Sequence, residues 1–209
     1  MAKRKMPVNT ITIIVDAIGD PGLNTPHDPF FIIAATITEQ PVEFGKISKK
    51  YREEWNKKEL KAGDLKRGRK RTALNEISSV DTDIQAIFID KNADDNPRWW
   101  NEPKNRKRAH YRALSELMDE TFGQTGGDNF FVVVDSHQDL EDGVGEGIVK
   151  ESAERKNKTL IYCVVDNSEE GDFKDLLQTN DFIPRELMDR MRDNKPNSDI
   201  TIKQKRLRW

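Results

Sequence analysis

The sequence predicts an α/β protein in which a central mixed sheet of five strands is flanked by helices. Three observations carry that prediction. Short apolar runs rich in β-branched and aromatic residues recur along the chain, and such runs read as strands buried on both faces. The first two, Thr10 to Asp16 and Pro29 to Thr38, are joined by a stretch containing Gly19-Asp20-Pro21-Gly22. That connection is too tight and too rich in turn residues for a crossover helix, so the two strands pair as a wide antiparallel hairpin. Later strands alternate with segments of helical periodicity, as in a sheet covered by helices.

The elements follow in order. Strand one covers 10–16 and strand two 29–38. Residues 41–58 are helical, with Val42, Phe44, Ile47, Tyr51 and Trp55 mostly at three- and four-residue steps. Glu59 to Leu65 interrupts this pattern, and a second helix at 68–79 carries Leu74 and Ile77. Strand three is 83–90, followed by a polar loop at 92–103 punctuated by Pro97 and Pro103. Helix 104–122 presents Tyr111, Leu114, Leu117, Met118 and Phe122 along one face. Thr125-Gly-Gly-Asp128 turns into strand four at 129–135. A helix near 146–156, strand five at 159–165 and a helix at 172–192 complete the core. The chain reads as a single domain over 1–193 with a basic insertion at about 59–80. A basic C-terminal tail at 194–209 is either loose or added to the sheet as a strand. This order of elements describes a ribonuclease-H-like architecture.

Composition bounds the function classes. Of the 209 residues, 34% are charged and 35% hydrophobic, and the net charge is only -2. The cations are nevertheless bunched, at Lys3-Arg4-Lys5, Lys66 to Arg71, Arg106-Lys107-Arg108 and Lys203 to Arg208. A surface polarised toward an acidic partner is compatible with a near-neutral chain. One cysteine, Cys163, excludes an internal disulfide and a cysteine-rich zinc site, and its apolar surroundings predict a buried, inert thiol. No apolar stretch approaches the roughly 20 residues of a membrane span, and the basic start is not followed by a secretory core. The expectation is a soluble, cytoplasmic protein without a membrane partner.

Two strands end on the same chemistry. Thr10-Ile-Thr-Ile-Ile-Val-Asp16 and Asn129-Phe-Phe-Val-Val-Val-Asp135 are apolar runs that stop at a carboxylate. Burial penalises a lone carboxylate, so neighbouring strand-terminal aspartates point to a shared divalent cation. A ribonuclease-H-like nuclease places further acids on or near a helix and on the last helix, and two ions about 4 Å apart then clamp the oxygens of a phosphodiester. Asp181 supplies the last-helix acid, with Asp175 as the competitor. The helix acid is Glu59, or Glu116 or Asp119 on the helix before strand four. Hard oxygen ligands select Mg²⁺ or Mn²⁺.

The chain resembles the family grouped as domain of unknown function 3800, which is similar to ribonuclease H and integrases in fold. The residues that carry the resemblance are Asp16-Ala17-Ile18-Gly19, Phe30-Phe-Ile-Ile33, Glu59-Leu60-Lys61, Val134-Asp135 and Leu177-Gln178-Thr179-Asn180-Asp181. They stand in the order of the family's motifs over about 11–190. The resemblance implies a ribonuclease-H-like fold and favours Glu59 as the helix acid. The family has Glu where this chain has Ala17, Ser where it has Ile18, and a small apolar residue where it has Asn180. Two readings therefore stay open. One is a metal-dependent nuclease with Asp16, Glu59, Asp135 and Asp181 as ligands. The other is a catalytically eroded module that binds nucleic acid or a protein partner.

Other residues are candidates for supporting roles. His137, two residues after Asp135, is placed to orient water or accept a proton. Lys61, Lys66, Arg67, Arg69, Lys70 and Arg71 are placed to contact the phosphates of DNA or RNA. Trp99, Trp100 and Trp209 lie next to basic residues and are candidates for stacking on bases. Ser136 lacks a nucleophile-elbow pattern, and Gly143-Val-Gly-Glu-Gly147 fits a helix entry rather than a phosphate loop. His110 reads as a surface or packing residue and His27 as a loop residue.

Overall fold

The computed structural model describes residues 10–22, 29–96, 105–193 and 198–207. Its centre is a six-stranded sheet: β1 (Ile11–Ile18), β2 (Phe30–Thr38), β3 (Thr82–Asp90), β4 (Asn129–Asp135), β5 (Thr159–Asp166) and β6 (Lys203–Arg206), in the order β5-β4-β1-β2-β3-β6. β1 and β2 form the expected antiparallel hairpin, and β2 pairs antiparallel with β3. β4 lies parallel to β1, β5 parallel to β4, and β6 parallel to β3. His27, Trp99, Trp100, Trp209 and the Lys3-Arg4-Lys5 cluster lie outside the described residues.

The fold is the predicted mixed sheet flanked by helices, with one strand more than expected. Of the two readings of 194–209, loose or added to the sheet, residues 203–206 take the second, because Lys203–Arg206 aligns with Gln85–Phe88. Lys-Gln-Lys-Arg shows no apolar alternation, since this edge strand is held by its ladder and by charge. Lys203 pairs with Asp83 at 2.8 Å, Lys205 with Glu116 at 2.7 Å and also with Glu120, and Arg206 with Asp95. Leu207 and Ile200 on either side of it are buried.

The helices are α1 (Pro41–Glu54), α2 (Arg67–Ile77), α3 (Arg106–Gln124), α4 (Asp142–Arg155), α5 (Lys174–Asn180) and α6 (Phe182–Asp193), with a single 3-10 turn at Ala62–Asp64. The helix expected at 172–192 is thus two helices broken at Asp181. Pro184 accounts for the break: it has no amide hydrogen for the Asn180 carbonyl four residues back, and its ring crowds that carbonyl. The glycine-rich stretch 143–147 lies inside the first turns of α4.

Alternation along the strands assigns each residue to a face. Ile14, Ile32, Ala34, Ile84, Phe131 and Val133 pack with Phe44, Leu74, Leu177, Ile183 and Leu187 from α1, α2, α5 and α6. Ile13, Val15, Phe31, Ile33, Val132 and Val134 pack on the other face with Leu114, Leu117, Met118, Phe122 and Val149 from α3 and α4. Both faces of β1 and β4 are therefore covered, as their continuous apolar runs require. Among the described residues, no helix is long and apolar enough to cross a membrane.

Candidate active site

The two aspartates meet because of register. β1 and β4 run parallel with Ile13 opposite Val132 and Val15 opposite Val134, so the next step sets Asp16 beside Asp135. Period two then gives both carboxylates the face of Ile14 and Val133, toward α5 and α6. Asp16 is not strand-terminal, which corrects the sequence reading of a strand ending at residue 16: β1 continues through Ala17 and Ile18, which pair with Ile33 and Ile32. Gly19 ends the strand at φ 89, where a Cβ would lie 2.5 Å from the Phe30 carbonyl oxygen, so only glycine fits there.

Asp181 occupies the break between α5 and α6, and its Oδ2 accepts the Ala62 N–H at 2.6 Å. Glu59 lies in the segment between α1 and the 3-10 turn, so it is loop-borne rather than helical. Asp16, Glu59, Asp135 and Asp181 line one cavity. Asp64 and Glu169 line it too, and the cations Lys61 and Arg185 face the same space. Glu116 and Asp119 are elsewhere, paired with Lys205 and with Arg155. Asp175 is paired with Arg52.

Gln178 joins the walls of this cavity. Its Oε1 accepts the Leu60 N–H at 3.2 Å and a guanidinium hydrogen of Arg52 at 2.6 Å, while its Nε2 donates to the Ser168 carbonyl at 2.6 Å. One buried amide thereby fixes α5, the segment bearing Glu59 and the loop after β5. Asn180 anchors the same helix to the sheet: its Oδ1 accepts from the Thr36 hydroxyl at 2.5 Å and its Nδ2 donates to the Ile14 carbonyl at 3.1 Å. That is what the polar residue at this position does.

The electrostatics are those of crowded, desolvated acids. Burial pushes the Asp16 carboxyl well above its ordinary range, and repulsion from Asp181 and Asp135 adds to it, against the Ala17 N–H bond at 2.6 Å. Asp135 is pushed up to about 6 by burial and by Asp181, although its Oδ1 accepts the Ser168 N–H at 3.2 Å. Burial also raises Asp181, offset by the Ala62 N–H and by the charges of Arg185 and Lys61. Glu59 Oε1 is buried and makes no hydrogen bond; the Lys61 ammonium lies 3.2 Å away as an ion pair and is equally near Glu169.

Several predicted site residues are not brought together. His137 does not line the cavity. β4 stops at Asp135, the chain turns, and the imidazole packs edge-on against His110 at 4.9 Å on the α3 face, its Nδ1 accepting the Asp139 N–H. His110 is a packing residue, 1% exposed, with burial holding its pKa down to about 3. Of the basic set only Lys61 lines the cavity. Lys70 is ion-paired with Asp189 at 2.6 Å, and Arg69 sits over the Trp55 ring at 5.2 Å. Lys66, Arg67 and Arg71 are exposed on or beside α2. Burial pushes the Cys163 thiol up to about 12, which makes it inert. The sequence reading missed Arg185, which stands one helical turn after Asp181 (the i, i+4 spacing that signals a shared face).

The donor set suits a hard divalent cation. It offers only oxygens, its carboxyls repel one another, and one buried carboxylate oxygen lacks a hydrogen bond. Among the described residues, no three acidic, histidine or cysteine side chains stand at metal-coordinating spacing. The carboxylates surround the cavity without converging on one point.

No family model matches the chain, and no curated protein matches it in sequence. The structure is similar to that of an RNase HII from Archaeoglobus fulgidus, solved as a complex with PCNA. The TM-score is 0.54 at 12% identity, covering 86% of this chain and 73% of that one. At that identity the likeness establishes a ribonuclease-H-like fold.

Proposed function

We propose that the protein is a metal-dependent phosphodiesterase acting on nucleic acid. The observation that carries this reading is the single cavity lined by Asp16, Glu59, Asp135 and Asp181 at the carboxyl ends of two parallel strands. Open α/β sheets bind ligands in such crevices. The resemblance to domain of unknown function 3800 and the likeness to an RNase HII both support the same chemistry. The four carboxylates would hold Mg²⁺ or Mn²⁺, as one ion or two. A bound ion would supply charge neutralisation and Lewis acidity to the phosphoryl oxygens. The protein's own part is to fix Asp16 and Asp135 by sheet register, to hold Asp181 through the Ala62 N–H, and to leave one buried oxygen of Glu59 without a hydrogen bond. DNA or RNA is the partner class.

The test is Mn²⁺-dependent cleavage of single- and double-stranded DNA and RNA by the wild type and by Asp16→Asn and Asp135→Asn. Each substitution is expected to reduce cleavage by at least about 10²-fold, the scale of losing one charged stabilising group. Undiminished cleavage in both variants would overturn the assignment. Ala17 and the absence of three converging ligands among the described residues favour a second reading, an eroded module that binds nucleic acid without cutting it. Salt-sensitive binding with no cleavage by the wild type identifies that case.

A further inference from the structure

Arg185 is out of keeping with its surroundings. It projects from α6 into a cavity lined by six acidic residues, yet among the described residues it makes no hydrogen bond and no ion pair. Its Nε is buried and unpartnered. Asp181 attracts it at a distance but takes the Ala62 N–H as its hydrogen-bond partner. A guanidinium kept only as a counter-ion would close onto a carboxylate, because a bidentate fork is the favourable geometry for that pair. Here the fork lies instead over Gly63, where a Cβ would meet one terminal nitrogen at 3.0 Å and the central carbon at 3.5 Å. The missing side chain at residue 63 is what leaves the guanidinium its place.

We infer that Arg185, seated over Gly63, forms an anion subsite for a non-bridging oxygen of a nucleic-acid phosphodiester. The inference rests on the reading of the cavity as a phosphodiesterase site. A bare ring of carboxylates repels a phosphate. A guanidinium with unspent donors on the same wall offsets that repulsion and orients the group, which Arg does through its planar fork and Lys does only as a point charge. Arg185 is thus a positioning residue for the phosphate, and Gly63 is the residue that makes room for it.

The experiment measures binding of fluorescently labelled short DNA and RNA, single- and double-stranded, by anisotropy across a salt series with Ca²⁺ in place of Mn²⁺. Arg185→Gln is expected to weaken binding about tenfold and to lower the slope of log affinity against log salt by about one, while Arg185→Lys keeps the slope. Gly63→Ala, which displaces the fork without removing its charge, is expected to weaken binding with an unchanged slope. It serves as the second variant if Arg185→Gln fails to fold. Wild-type affinity and slope in Arg185→Gln overturn the subsite, as does a wild type that binds none of the probes. Parallel Mn²⁺ cleavage separates the two readings. Binding with an Arg185-dependent slope but no cleavage sinks the phosphodiesterase reading and leaves the subsite. Normal cleavage with an unchanged KM in Arg185→Gln sinks the subsite alone.

Discussion

Asp135 is held in the fold in a state the unfolded chain does not share. Its pKa stands at about 6 against an ordinary 3.8, so across that interval the folded protein keeps a proton that the unfolded chain has lost. Stability is greatest where both states are protonated and falls as pH rises through the folded pKa. At pH 7 the charged carboxylate therefore works against the fold. Asp135→Asn in metal-free buffer is expected to raise stability at pH 7 by about 1–3 kcal/mol, the gain vanishing near pH 4. Thermal melts at the two pH values check this, and a variant that melts below the wild type at pH 7 refutes it. Asp16 and Asp181 shift in the same direction and extend the effect. Stability sacrificed for charge is the usual signature of a working site.

At the level of elements, α5 is the clamp. Gln178 is 2% exposed and satisfies the Leu60 amide and the Ser168 carbonyl, so replacing it strands polar groups from two loops. Gln178→Met keeps the volume and removes the bonds, and is expected to cost about 1–3 kcal/mol. Urea denaturation measures it; an unchanged midpoint would show that water replaces the amide. How far the sequence discloses these elements depends on where their information lies. β1 and β4 were readable because a short, unbroken apolar run, the mark of a strand buried on both faces, leads straight into a carboxylate. Glu59 was reachable only through its Glu-Leu-Lys context, since nothing local marks a loop acid as cavity-facing. His137 misled because its two-residue spacing from Asp135 implies a shared face only while the strand continues. The break at Asp181 was foreshadowed by Pro184. The tasks of Gln178 and Arg185 were not legible, because their partners are distant in sequence.

At the scale of the whole molecule, the sheet is closed on its β3 side by the segment after residue 197. Ile200 and Leu207 are 5% and 3% exposed, and β6 covers the ladder groups of β3. Removing 198–207 forfeits the burial of these two side chains, at about 1.5–3 kcal/mol each, and leaves β3 an open strand edge. The truncated chain is expected to melt well below the full one and to aggregate on heating, measured by circular dichroism and light scattering. An unaltered melting curve would mean that β6 is ornamental to the fold. The sequence left this strand as an alternative to a loose tail because its contribution is backbone pairing and ion pairs, which leave no hydrophobic rhythm.

The parallel register of β1 and β4 has one more consequence. Asp16 and Asp135 are spaced by a hydrogen-bond ladder that extends back through the core, so their separation is as stiff as the sheet itself. Glu59 and Lys61 ride on a segment without regular structure, tethered through Leu60. The cavity thus has a jaw cast in one piece with the scaffold and an opposing jaw mounted on a loop. Sequence drift that alters ligand choice can accumulate on the loop-mounted jaw without disturbing the packing, whereas change on the cast one is paid for in folding.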